Sequence, residues 1–217
     1  MASIFANLQY SILLRFVLLC IVAALLSWSF QYLLISDTLY YNAFANQLSY
    51  ERIKNMIDEG HHWIWLGNIF IPIIYGIKLT FITICLGLGY FFAKSRFNFS
   101  IFFNLAIFSE LIFLLPILIK LLWFLFIKTD YDLNDLTLFY PLSLLNLVDA
   151  QTIPRYWLAP LQMLNLFEIA YWFLLAYGVA DATGLSFKRS FGLVMSSYGV
   201  GLVLWVVLVM FLTITYS

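Results

Sequence analysis

Apolar residues fill this chain in long runs, and polar residues fall between the runs instead of alternating within them. Half-buried strands alternate, so the pattern points to helices that are apolar on all sides. A helix needs about 20 predominantly apolar residues to cross a bilayer. Five runs meet that length: 11–34, 66–92, 100–127, 157–177 and 191–214. Arg15 lies near the start of the first. The second carries Pro72 and Lys78, the third Glu110, Pro116 and Lys120, the fourth Glu168, and the fifth no charge. The pattern predicts an all-α, polytopic membrane helical bundle of five transmembrane helices, a single membrane domain over 1–217. The segment 11–35 follows no basic n-region, exceeds a signal h-region in length and ends without an Ala-x-Ala site, so it reads as a retained span.

The polar interruptions differ in length and sign. Two short turns are basic, one with Lys94 and Arg96, the other with Lys188 and Arg189. Two longer loops are mixed or acidic. The first holds Asp37, Glu51, Arg52, Lys54, Asp58 and Glu59; the second holds Asp130, Asp132, Asp135 and Asp149 against Lys128 and Arg155. The positive-inside rule places short basic turns in the cytoplasm. This predicts a cytoplasmic N-terminus, an outside C-terminus and two outer loops, in a bacterial inner (cytoplasmic) membrane. Within the first loop, Leu48, Ile53, Met56 and Ile57 are spaced for a short amphipathic helix on the interface. His61, His62, Trp63 and Trp65 follow it and suit the headgroup region. In the second loop, 138–148 is apolar but too short to span, which predicts an interfacial or re-entrant segment.

Composition sharpens the membrane reading. Of 217 residues, 64% are hydrophobic and 10% charged, against about 45–50% and about 25% in soluble domains. Net charge is zero, which gives no footprint for nucleic acid. The partners implied are the lipid bilayer and other membrane proteins or a homo-oligomer. Cys20 and Cys85 both lie in apolar runs, so no disulfide framework or CxxC site is expected.

Charges inside spans carry the candidate chemistry. A charge at the bilayer centre costs about 2.5–3.5 kcal/mol on insertion scales, so Lys78, Glu110 and Glu168 need partners. At about 1.5 Å per residue each lies roughly 15–18 Å from a span end. Two readings follow. In one, Lys78 pairs with one Glu and the other is protonated or bonded to Asn165 or Asn104, as glue between helices. In the other, two carboxylates sharing one lysine form a proton or cation site. Lys120 is close enough to the outer end to snorkel.

Other patterns carry less. Asp130, Asp132 and Asn134 begin like a calcium loop, but Asp135 replaces its Gly and Pro141 its bidentate Glu. His61 and His62 are adjacent and therefore point apart on a helix. No HExxH, GxSxG or P-loop motif is present. No cofactor, no metal site and no catalytic residue is expected. Gly87, Gly89, Gly192, Gly199 and Gly201 suit close packing, within the bundle or in a homodimer seam. The two basic-turn hairpins share a plan that an internal duplication would produce.

Three segments resemble the Yip1 domain family in its short prokaryotic form, over about 47–206. They are the charged stretch Asn46–Glu59, the aromatic–small–Pro run Phe97–Pro116, and Asn165-Leu-Phe-Glu168 through Trp172 and Gly178 to Gly184 and Lys188-Arg189. The resemblance implies five helices, a cytoplasmic N-terminus and no catalytic residues. The long N-terminal region and Asp-Leu-Tyr-Gly-Pro motif of the GTPase-binding eukaryotic members are missing. The expectation is a non-enzymatic scaffold or partner-binding membrane component. The alternative is an ion- or proton-coupled transport or channel component using Lys78, Glu110 and Glu168.

Overall fold

The computed structural model describes residues 12–94 and 98–216. Arg96 and the first eleven residues, on which the retained-span reading and part of one basic turn rest, lie outside the described residues. The described chain is helical, with one isolated bridge between Ser143 and Asn165 as its only β-pairing. In chain order the helices are α1 (Ile12–Leu34), α2 (Asp37–Phe44), α3 (Tyr50–Lys94), α4 (Phe99–Glu110), α5 (Leu114–Phe126), α6 (Leu133–Leu138), α7 (Leu158–Met163), α8 (Leu166–Thr183), α9 (Phe187–Val194) and α10 (Val200–Tyr216). A 3-10 turn, Leu111–Phe113, joins α4 to α5, and a π-helical turn, Met195–Gly199, joins α9 to α10.

Among the described residues, four helical stretches are long and apolar enough to cross a membrane: Ile12–Leu34, Tyr50–Phe92, Phe99–Phe126 and Phe187–Tyr216. The expected fourth span, 157–177, does not form as one helix. It is broken at Leu164–Asn165, and its longer piece, α8, runs on to Thr183. The reason lies at the break. Asn165 has extended backbone, and its side chain accepts from the Glu168 N–H at 2.9 Å, so a new helix starts there. Its amide nitrogen donates to the carbonyls of Gln162 and Met163, which ties down the end of α7.

The interfacial helix expected near 48–57 does not form as a separate element either. Those residues open α3, which runs unbroken for 45 residues through His61, Trp65 and Pro72. Ile53 and Ile57 are buried, and this end of α3 packs with α2. At about 1.5 Å per residue α3 is roughly 67 Å long. That is twice the hydrocarbon thickness of about 30 Å.

The main core lies between α1, α3, α4, α8 and α9, around Leu19, Leu79, Leu86, Phe102, Leu105 and Tyr171. A smaller core (Leu34, Leu121, Phe124, Leu136) closes the loop end under α6. Outside these cores the helices present apolar side chains, as on α10 at Val203, Leu204, Val207, Leu208 and Phe211. In water such a surface would drive aggregation; lipid solvates it.

Candidate functional site

Lys78, on α3, extends toward the last residue of α4. Its Nζ donates to Glu110 Oε1 at 2.5 Å and lies 4.4 Å from the centroid of the Phe113 ring. The lysine side chain is 41% exposed, whereas Glu110 is 1% exposed. The pair is therefore sheltered on the carboxylate side only. Glu110 stands where the helix changes pitch. Pro116 has no N–H, and its ring crowds the carbonyl of Ile112, so the turn before it winds as a 3-10 helix. Glu110 Oε2 is buried and has no hydrogen-bond partner among the described residues.

Glu168 occupies the first turn of α8. Its Oε1 accepts from Trp172 Nε1 at 2.8 Å and from the Tyr198 hydroxyl at 2.9 Å. It is not mid-helix, as a continuous fourth span implied. It still sits at the depth of the other two charges. Counted from the end with the short turns, Lys78, Glu110 and Glu168 stand roughly 24, 17 and 22 Å up their helices at about 1.5 Å per residue. They are close enough to act on one another electrostatically. The start of α8 adds the positive end of a helix dipole, which favours a carboxylate there.

The backbone around Glu168 is held by a loop. The Leu144 N–H donates to the Leu164 carbonyl, and the Leu166 N–H to that of Leu142. These bonds satisfy peptide groups that the helix break would leave open, which membrane depth requires. The loop approaches through a turn closed by Ser143 N–H and the Tyr140 carbonyl, with Pro141 and Leu142 at its centre. Leu142 has φ +55°, a left-handed conformation that costs a leucine about 1–2 kcal/mol. Backbone strain of this sort gathers at functional sites.

Tyrosines complete the cluster, and hydropathy reading missed them. Tyr171 is 0% exposed, with its ring 4.9 Å from Phe113 and 5.3 Å from Tyr198. Its hydroxyl is buried without a hydrogen-bond partner among the described residues. Tyr75 and Tyr140 lie within electrostatic reach of Glu110, and Tyr140 of Glu168 as well. Tyr198 sits in the π-helical turn. Ser196 and Ser197 both donate their hydroxyls to the Leu193 carbonyl, which loosens the helix at this point. A usable signal was present: Tyr75, Tyr171 and Tyr198 fall inside spans, away from the interfaces where tyrosine gathers.

The other candidates take structural places. Asn104 accepts from Arg15 Nη1 at 2.6 Å, and Asn165 bonds backbone, so neither amide meets a carboxylate. Lys120 Nζ lies 5.3 Å from the Phe30 ring centroid. Asp132 and Asp135 form a reciprocal cap on α6, and Lys128 binds Asp135 at 2.6 Å. Burial pushes the Asp135 carboxyl up, but the Lys128 hydrogen bond, the Asp132 N–H and the Lys128 charge together hold it below the ordinary carboxylate value. His61 lies 3.5 Å from Asp37 in an exposed pair. Gly89 and Gly201 serve packing inside the bundle, against Ser197 and against Phe81 with Cys85. Comparison of the chain with protein-family models, with curated proteins and with solved structures found no match.

Proposed function

We propose that this multi-pass membrane protein is a non-enzymatic, ion- or proton-coupled transport or channel component working through Lys78, Glu110 and Glu168. One observation carries the reading. Two carboxylates and a lysine from three helices lie within electrostatic reach of one another inside an apolar bundle, and the backbone departs from α-helical geometry beside both carboxylates and beside Tyr198. Intramembrane ionisable groups mark ion and proton pathways. Discontinuous helices at such sites are the usual way membrane proteins present polar groups to a small ion. π-Helical turns likewise concentrate at functional positions.

In this reading α7 and α8 together make the fourth of five crossings. The turn bearing Lys188 and Arg189, both exposed, is cytoplasmic, and the protein sits in a bacterial inner membrane. Reconstitution in liposomes with an entrapped pH dye tests the function. Wild type should dissipate an imposed gradient, and Glu110→Gln and Glu168→Gln should each abolish the flux. Equal flux in both variants, or none in wild type, sinks the reading.

A second reading, a scaffold or partner-binding component of Yip1 type, rests on α3. Its first turns extend past the thickness a bilayer covers and expose Glu51, Arg52, Lys54, Asp58 and Glu59. A membrane protein or a second copy of the chain is the partner this surface suits. Cross-linking in intact membranes from cysteines placed along 51–59 discriminates: a specific adduct supports the scaffold, and its absence at every position counts against it.

A further inference from the structure

The hydrogen bonds within the cluster divide its two carboxylates into different roles. Glu110 Oε1 is joined to a lysine ammonium. Glu168 Oε1 is joined to a tyrosine hydroxyl and an indole N–H. The indole can only donate, so Oε1 of Glu168 is an acceptor whether the group is ionised or neutral. No hydrogen bond reaches its Oε2 from the described residues. A proton can therefore join or leave Oε2 without disturbing either bond to Oε1. Glu110 has no such freedom, because neutralising it would strand the Lys78 charge that faces it.

Charge counting gives the same division. Lys78, Glu110 and Glu168 in their ionised forms sum to one negative charge, in a place where net charge is costly. One added monovalent cation makes the cluster neutral. A bound metal cation prefers about six or more oxygens. Among the described residues, the side-chain oxygens around the cluster without a hydrogen bond are Glu110 Oε2, Glu168 Oε2 and the hydroxyls of Tyr75, Tyr140 and Tyr171. A metal ion needs several oxygens converging on one point, whereas a proton needs one, and Glu168 Oε2 offers it. Among the described residues, the remaining titratable groups around the cluster are Tyr75 on α3 with Cys20 of α1 beside it, Tyr140 in the loop, Tyr171 on α8 and Tyr198 with Cys85 beside it. All are neutral acids, so none supplies the missing positive charge.

We propose that the coupling ion is a single proton and that Glu168 Oε2 loads it, while Glu110 stays ionised as the fixed partner of Lys78. This deepens the transport reading and rests on it for its physiological meaning. In the loading step an O–H bond forms at Glu168 Oε2 and the carboxylate becomes a neutral acid; unloading returns the proton to water. Tyr198 and Trp172 are positioning residues, which keep Oε1 occupied in both states.

Infrared difference spectroscopy on the full-length protein in lipid vesicles, with glutamate carboxyls isotopically labelled, tests this. The wild type should show a protonated glutamic acid carbonyl band at neutral pH that disappears as pH is raised. The band should be lost in Glu168→Gln, and in Glu110→Gln it should disappear at lower pH than in wild type, because Lys78 then balances an ionised Glu168. Tyr198→Phe should retain the band and shift its frequency upward, because one hydrogen bond to the carbonyl oxygen is gone; this holds even if Glu168→Gln does not fold. No acid band in wild type, a band that survives Glu168→Gln, or an unshifted band in Tyr198→Phe overturns the proposal. The spectrum is independent of transport. A Glu168 band with no flux in liposomes leaves the protonation standing and removes the coupling function, whereas flux with no acid band does the reverse.

Discussion

Lys78 and Glu110 illustrate what one ion pair does inside an apolar bundle. Removing one partner of a fully buried pair costs about 3–5 kcal/mol, because the other is left uncompensated, and less where, as here, the lysine is half exposed, while replacing both by apolar groups is often neutral. Lys78→Met should therefore lower thermal stability, and Lys78→Met with Glu110→Met should recover most of the loss. If the pair were only glue, the double variant would also keep its transport. The transport reading predicts a stable double variant with no flux, measured by thermal shift and dye assay on the same preparation. Tyr198→Phe loses one hydrogen bond to Glu168, worth about 1–2 kcal/mol, a smaller effect that thermal shift separates from the larger.

Helices here are interrupted where a local residue cannot continue them, and each interruption has a testable cost. Asn165→Ala removes the α8 cap and the ties to α7, and should destabilise by about 0.5–2 kcal/mol. Hydrogen exchange should rise first in 164–168, with α10 unchanged. At Gly178 α8 packs tightly on α4, since a Cβ there would stand 2.7 Å from two carbons of Leu105. Gly178→Ala should cost about 1–3 kcal/mol through overpacking, with partial rescue by Leu105→Ala in the same thermal assay. At the loop end, Asp135 is held below its ordinary value by Lys128 and the Asp132 N–H, against burial. A carboxylate lowered in the folded state adds stability above its unfolded pKa of about 3.9 and loses that stability as pH falls through the folded value. Exchange protection of α6 should accordingly hold at neutral pH and fall below about pH 4. Asp135→Asn should show weaker protection at neutral pH and little further change on acidification.

Across the whole molecule, crossing number and orientation decide which side each end of the cluster can exchange with. Single cysteines at Lys188 and Asp149, introduced after replacing Cys20 and Cys85 with serine, should react with an impermeant maleimide from opposite sides of the membrane. Lys188→Cys should label only in inverted vesicles, and Asp149→Cys only in intact cells. Labelling of both from one side would remove the crossing assigned to α7 and α8, and with it the path joining the two faces through Glu168.

Helical content and the apolar character of the long helices were legible in the chain, because hydropathy is a property of neighbouring residues and an apolar run without alternation admits one solution in lipid. The start of α8 has a local signal too, since Asn165 followed three residues later by Glu168 has the spacing of a helix start, but the apolar run across it masks the break. The 3-10 turn after Glu110 follows from Pro116, whose effect reaches back four residues. Tertiary structure alone decided that Lys78 takes Glu110 and leaves Glu168 to Tyr198, because those partners are 32 and 30 residues apart and meet only through the packing of α3, α4, α8 and the π-helical turn. It alone decided that 142–144 completes the backbone hydrogen bonds of the break, since a loop can satisfy an open helix end only once the helices have set the distance between them. Hydropathy identifies the solvent each residue needs; the identity of a charge's partner is a matter of distance, which exists only in the folded chain.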